Sequence, residues 1–419
     1  MNSTMNINHA YKEIYSQYIE DASFLWLMRN IAVEQPHYDI NDLKYLEQRI
    51  EAQLDGLLTS VELSWDLCEQ TLKSAGGGEI FTAAIIAFKS YDQERIQKVV
   101  ETSLDSADCI LGLASALAWL PARIVHPWIK RFLTSKDVNH KYLAIKACHL
   151  RRENPGDYLN AFFMRSDCLE HNDLYVDLLR ISGEMKRTDV LPHVTKAISH
   201  DDIMIKFWAI WASVLLGNKQ EVVKLEPYVL ASGELQKEAI KLAFRVLPIE
   251  HARQWVSKLS QDPEQVRNVI IATGVMGDPQ AIEWLLVKMQ DIQFARVAAE
   301  SFSLITGVNL EEALLTVDEP ENYESGPSEN PADDNVELDD DENLPWPNVT
   351  MVTSYWNAIK SKYTFGQRYL LGSEIKSELL LNKQNKLCQR QRNAVALELA
   401  ILDMARIHEN TSAKVLVAK

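Results

Sequence analysis

Glycine and proline are scarce in this chain, 15 and 14 among 419 residues, and they gather at turns between long stretches of helix-forming residues. That distribution excludes a large sheet and gives an all-α composition. Cysteine is equally sparse. Cys68, Cys109, Cys148, Cys168 and Cys388 are odd in number and scattered through apolar stretches, so they read as buried free thiols of a reducing compartment rather than a disulfide framework. Long apolar runs are missing too. Ile110 to Leu120 stops at Pro121 after about eleven residues, roughly half of what a bilayer needs, so no membrane insertion is expected. The first residues are polar and lack a basic segment followed by an apolar core, so no signal peptide is expected and the expected location is cytoplasmic.

Cationic excess is also absent. The formal charge is -16, but twelve of the acidic residues fall between Asp318 and Glu342, where no Lys or Arg occurs, and the rest carries only about -4. Nucleic-acid binding draws most of its affinity from Lys and Arg neutralising phosphates, so nucleic acid is not an expected partner. No Gly-x-Ser-x-Gly elbow, phosphate-binding loop, His-Glu-x-x-His helix or Cys-x-x-Cys pair occurs, and no catalytic residue, metal ligand or cofactor is assigned. His193 and His200 share a helical face but stand about 10 Å apart along it, too far to share a metal. Gly76-Gly77-Gly78 reads as a helix stop, with an anion nest as the rival. Asp201-Asp202 and Glu311-Glu312 sit where helix N-termini are expected, which explains them without acid-base chemistry.

What is present is a repeat of about thirty residues between 201 and 307. Asp262-Pro263 leads to Arg267, then Val269, Ile270, Ala272 and Val275, closing at Gly277-Asp278-Pro279. A second copy places Arg296 about thirty residues on, followed by Ala298, Ala299, Phe302, Ile305 and Gly307, and Lys237 and Lys206 hold the matching positions upstream. Such a period means stacked helix pairs, because one pair cannot bury its own apolar face. Asp262 and Asp278 are placed to cap helices with proline at the first helical position, and Asn309 with Glu312 resembles a capping box.

The expected organisation is an N-terminal helical cap over 1–75, a repeat array over 76–317, an acidic disordered linker over 318–343 and a small helical C-terminal cap over 344–419. In the N-terminal cap, one helix ends near Ala32. The next carries Leu43, Leu46, Ile50, Leu54 and Leu57 on one face, and a third carries Val61, Leu63, Leu67 and Leu72. The linker has too few aliphatics to offset its ordering entropy and reads as a solvated tether, or as a segment that docks on a basic surface, including the array's own cations.

Two groups are candidates for binding a protein. Lys206, Lys237, Arg267 and Arg296 form a ladder of cations that could grip an acidic partner or lock repeat to repeat. Trp346, Trp356, Phe365 and Tyr369 with Arg368 could form an exposed recognition patch or the small core of the last unit.

The thirty-residue units resemble HEAT repeats, well over 200–317 and loosely over 79–199. The ends carry a further resemblance: Phe24-Leu25-Trp26 with Arg29, Pro36-His37-Tyr38, Leu54-Asp55-Gly56-Leu57, Leu344-Pro345-Trp346-Pro347, Phe365 with Arg368-Tyr369-Leu370, and Gln391-Arg392 before Ala396 to Ala400. Together these are similar to a proteobacterial HEAT-like family of unassigned function, often associated with type VI secretion neighbourhoods. The resemblance implies a HEAT-like α-solenoid and a cytoplasmic, non-enzymatic scaffold, an adaptor or chaperone for an effector or spike component. An immunity protein that blocks a toxin is the related alternative. A HEAT-like enzyme acting on DNA or a tetrapyrrole is the rival from another class, and the small body charge argues against its DNA form.

Overall fold

Short acidic or hydroxyl side chains placed just ahead of apolar runs start the helices. Asp92 accepts from the amides of Glu94 and Arg95, Ser106 from Cys109, Asp137 from Asn139, and Asp262 and Asp278 from the amides two residues on. The computed structural model describes residues 2–321, 323, 339–381 and 387–415, with side chains from Tyr11 onward. Its class is all-α and solenoid-like, and the strands described are two-residue pairs. No helix among the described residues is long and apolar enough to cross a membrane.

The chain divides into two units, Met1–Ala212 with Ile407–Lys419, and Ser213–Arg406. The first contains α1 (Asn2–Ala32), α2 (Ile40–Leu58), α3 (Val61–Thr71), α4 (Gly77–Ser90), α5 (Gln93–Ser103), α6 (Ala107–Trp119), α7 (Ala122–Leu133), α8 (Val138–Arg151), α9 (Asp157–Phe163), α10 (Ser166–Leu169), α11 (Asn172–Glu184), α12 (Leu191–Ala197) and most of α13 (Ile203–Leu215). One row of helices stacks in order, α1 on α4, α4 on α6, α6 on α8 and α8 on α11, while α3, α5 and α7 pack beside it. The expected apolar face of α2 is buried at Leu43, Leu46, Ile50, Leu54 and Leu57. The cap is continuous with the array, since α1 packs directly against α4.

The glycine run is a correction. It opens α4 instead of ending a helix, because α4 lies too close to its neighbours for side chains: a Cβ on Gly78 would stand 2.6 Å from the Ser23 carbonyl oxygen. A Cβ on Gly112 would stand 2.1 Å from the carbonyl oxygen of Gly77.

The second unit contains α14 (Glu226–Leu230), α15 (Gln236–Val246), α16 (Ile249–Leu259), α17 (Val266–Met276), α18 (Ile282–Lys288), α19 (Ala295–Thr306), α20 (Val349–Ile359), α21 (Ser377–Leu381) and α22 (Gln389–Leu402). Here α15, α17 and α19 stack in a row, with α14, α16 and α18 beside them, as the repeat demands. Strand β1 (Thr316–Val317) pairs with β2 (Trp346–Pro347), and β3 (Tyr369–Leu370) with β4 (Ser373–Glu374). Asn309 accepts from the amides of Glu311 and Glu312 but caps turns over 310–314 instead of a helix.

The stacked helices start at residues 77, 107, 138 and 172 in the first unit and at 236, 266 and 295 in the second. The period of about thirty therefore runs through 79–199, where the sequence pattern is degenerate.

Candidate functional site

The cation ladder splits. Arg267, on the first turn of α17, donates from both terminal nitrogens to the two carboxylate oxygens of Asp341, each at 2.6 Å. Arg296, on α19, is buried and donates to the Asp341 carbonyl at 2.9 Å, to the Tyr323 hydroxyl at 2.6 Å and to the Asp339 carboxylate. Its guanidinium lies 4.8 and 4.5 Å from the ring centres of Tyr323 and Trp346. Lys237 is exposed and Lys206 half-buried, each in its own unit.

Two of the ladder's arginines thus hold the far end of the acidic segment. At its described end the segment expected as a linker over 318–343 is therefore not a solvated tether but takes the other expected form, docking on the array's own cations, and Asp341 is buried. Composition counted these carboxylates as solvated charge, whereas two repeat-spaced arginines neutralise them. The middle of that linker, 322 and 324–338, lies outside the described residues.

Of the two expected readings of the aromatic group, core and recognition patch, its residues are mostly core. Trp356 is fully buried, meets Phe302 edge-on and donates from Nε1 to Glu283 at 3.2 Å. Tyr369 and Trp346 are also buried. Arg368 donates to the carbonyl oxygens of Met276 and Arg245, at the ends of α17 and α15, and pairs with buried Glu398 at 3.0 Å. Phe365 alone of the group is largely exposed, at 57%. The 363–372 segment straps the helix ends. Tyr369 N donates to Gly277 O at 2.8 Å, Leu371 N to Leu304 O at 2.7 Å and Gly372 N to Ile305 O at 2.9 Å. Gly277 ends α17 in the left-handed region at φ +75, and a Cβ there would lie 2.3 Å from the Tyr369 carbonyl oxygen.

A comparable arrangement in the first unit supplies the candidate site, and sequence reasoning did not find it. Residues 407–415 are non-helical and turn at Asn410–Ala413. They lie across helix ends and onto α1 and α2. His408 N donates to the Glu184 carbonyl at 2.8 Å, and the Asn410 side-chain amide donates to the Leu150 carbonyl. Arg29 Nη2 donates to the carbonyl oxygens of Ser412 and Ala413 at 3.1 and 3.0 Å. Val415 N donates to both carboxylate oxygens of Glu47, at 3.0 and 2.9 Å. Lys414 pairs with Glu51 and lies 4.4 Å over the ring of Trp119, whose Nε1 also donates to Glu51 at 2.7 Å.

Arg29 and Glu47 are a buried pair in their own right, 2.7 Å apart, with side chains 8% and 0% exposed. Taking either away from the other would cost about 3–5 kcal/mol, since a lone charge would remain in a dry place. The signal was in the sequence. Glu47 falls within the apolar face of Leu43, Leu46, Ile50 and Leu54, and Arg29 continues the buried face of Ala22, Leu25 and Trp26. A charge set inside an apolar stripe needs a partner.

Next to the groove, Glu184 is buried with His149 Nδ1 at 2.8 Å and Arg152 in contact. Arg180 spreads over the Trp208 ring at 4.2 Å. Burial opposes the charge of Glu184, but His149, Arg152 and Arg180 outweigh it and hold the carboxyl well below the usual range. The thiols of Cys68 and Cys148 are pushed up to about 12 by burial and are chemically quiet. His193 stacks on Phe163 at 5.3 Å, and His200 accepts the amide of Asp202 through Nδ1 at 3.0 Å. Among the described residues no group of three or more His, Cys, Asp or Glu side chains is placed to hold a metal ion.

Compared with family models, characterised proteins and solved structures, the chain matches none.

Proposed function

We propose that this chain is a non-enzymatic scaffold that binds another protein, and that the partner is an effector or spike component of a type VI secretion system, for which the chain acts as a cytoplasmic adaptor or chaperone. The observation that supports binding is the groove of the first unit, where Arg29, Glu47 and the Glu184 carbonyl grip the main chain of a non-helical segment and the Leu150 carbonyl takes its Asn410 side-chain amide. Main-chain recognition of this kind is how peptide grooves gain affinity, with side-chain pockets adding selectivity. The secretion assignment rests on the family resemblance alone.

The test is affinity capture of the tagged full chain from cells that make it, followed by mass spectrometry. A spike or effector protein recovered in stoichiometric amount supports the reading, and recovery of no protein under gentle washing counts against it. An immunity role predicts a different result: the captured protein would be a toxin whose activity the chain abolishes on binding.

A further inference from the structure

The segment in the groove is attached mainly by polar contacts, with the His408 ring edge-on to buried Trp211 at 6.1 Å. Residues 407–415 are half-buried or exposed, Ile407 is 41% exposed, and none of them joins the buried core. Every polar contact cited above except that of Lys414 is made with a main-chain atom or by the short Asn410 amide. The groove itself is built differently. Arg29 and Glu47 are buried and pre-paired, and each keeps bonding capacity aimed at a peptide: Arg29 Nη2 toward two carbonyl oxygens, Glu47 toward an amide. A charge-selective contact of the segment is the site where Glu51 and Trp119 receive a lysine.

From this we infer that the groove formed by Arg29, Glu47, Glu51 and Trp119 is a peptide-binding site that the chain's own 407–415 segment fills in the resting state, and that a partner displaces it with a non-helical segment presenting a lysine to Glu51 and Trp119. The occupant is a protein segment because the groove reads main-chain amide and carbonyl groups. It is basic because the receiving side chains are a carboxylate and an indole face. The chain's own segment is held at high effective concentration by its connection at Arg406, so an incoming segment must either bind more tightly or be delivered on a partner already engaged elsewhere. This inference rests on the scaffold reading and specifies its contact.

The experiment uses a fluorescein-labelled peptide with the sequence of residues 407–415 and the full chain, read by fluorescence anisotropy. The wild-type chain should bind it weakly, because its own segment occupies the groove. A full chain carrying Lys414→Glu should bind it at least tenfold more tightly, and adding Glu51→Gln to that chain should remove most of the gain. A peptide with glutamate in place of its lysine should bind neither. A second chain, in which 407–415 is replaced by glycine and serine, opens the groove without depending on one charge and should behave like the Lys414→Glu chain. Equal affinity for wild-type and opened chains, or no binding to either opened chain at an unchanged thermal midpoint, overturns the inference. So does a concentration-dependent dimer that the peptide dissolves, since the groove would then be filled by a second copy. If affinity capture recovers a partner equally from wild-type and Glu51→Gln chains, the scaffold reading stands and this groove assignment falls.

Discussion

Arg267 and Asp341 meet through two parallel bonds of 2.6 Å, joining the first turn of α17 to the end of the acidic segment. Asp341 is almost wholly buried and the arginine about a third exposed, so the carboxylate is the member that depends on its partner. Arg267→Ala should therefore destabilise the second unit by about 2 kcal/mol, discounted from the cost of breaking a fully buried pair because the arginine is partly solvated. Amide exchange in 339–347 should accelerate in the same variant. Exchange that stays at the wild-type rate would show that the pair does not hold the segment.

Excising Asp318 to Glu342 removes the partners of both Arg267 and Arg296 and uncovers one side of buried Trp346. A mere tether could be removed without a change in thermal midpoint. The excised chain should instead unfold several degrees lower by calorimetry.

The aromatic residues separate by burial. Trp356→Ala should cost about 3–5 kcal/mol, as expected for emptying a fully buried indole site, whereas Phe365→Ala should change stability by less than about 0.5 kcal/mol. Urea unfolding of the two variants distinguishes core from surface directly.

Acid sensitivity should trace to Glu184. Its carboxyl sits below the ordinary value of 4.5 in the folded chain, so the unfolded chain binds the proton more readily. The stability this group contributes is complete above about pH 4.5 and is lost as pH falls toward the folded value. Glu51 follows the same sign: burial resists its charge, but Lys414 and Trp119 lower its value, so the 407–415 segment should loosen as pH falls below the usual glutamate range. Hydrogen exchange of 407–415 between pH 6 and pH 4, corrected for intrinsic rates, checks the second effect. The acid limb of the urea midpoint in wild type and Glu184→Gln checks the first.

Gly112→Ala should cost about 2–3 kcal/mol by forcing α4 and α6 apart, because the new Cβ would stand 2.1 Å from the Gly77 carbonyl oxygen. A thermal midpoint within a degree of wild type would mean that the helices can separate freely there.

Much of the architecture was legible without coordinates. The apolar faces of α2, α17 and α19 and the Asp262 and Asp278 caps depend on residues a few positions apart, so local spacing reveals them. The repeat stayed hidden over 79–199 because stacking there is kept by shape, as at Gly77 and Gly112, while the signature residues have drifted. The candidate groove stayed hidden because its charges pair with a segment several hundred residues away in the chain.

The sequence by itself determined that the chain is helical, that its helices recur about every thirty residues, and which faces are apolar, because helix propensity, capping and periodicity act over one or two turns. Tertiary structure decided what each charge does. Arg267, Arg296 and Arg368 all read as candidate surface cations, yet each is turned toward a carboxylate brought from elsewhere in the chain. Which carboxylate arrives, and how much water comes with it, is set only when distant segments pack, and that desolvation makes a charge structural or leaves it free to bind.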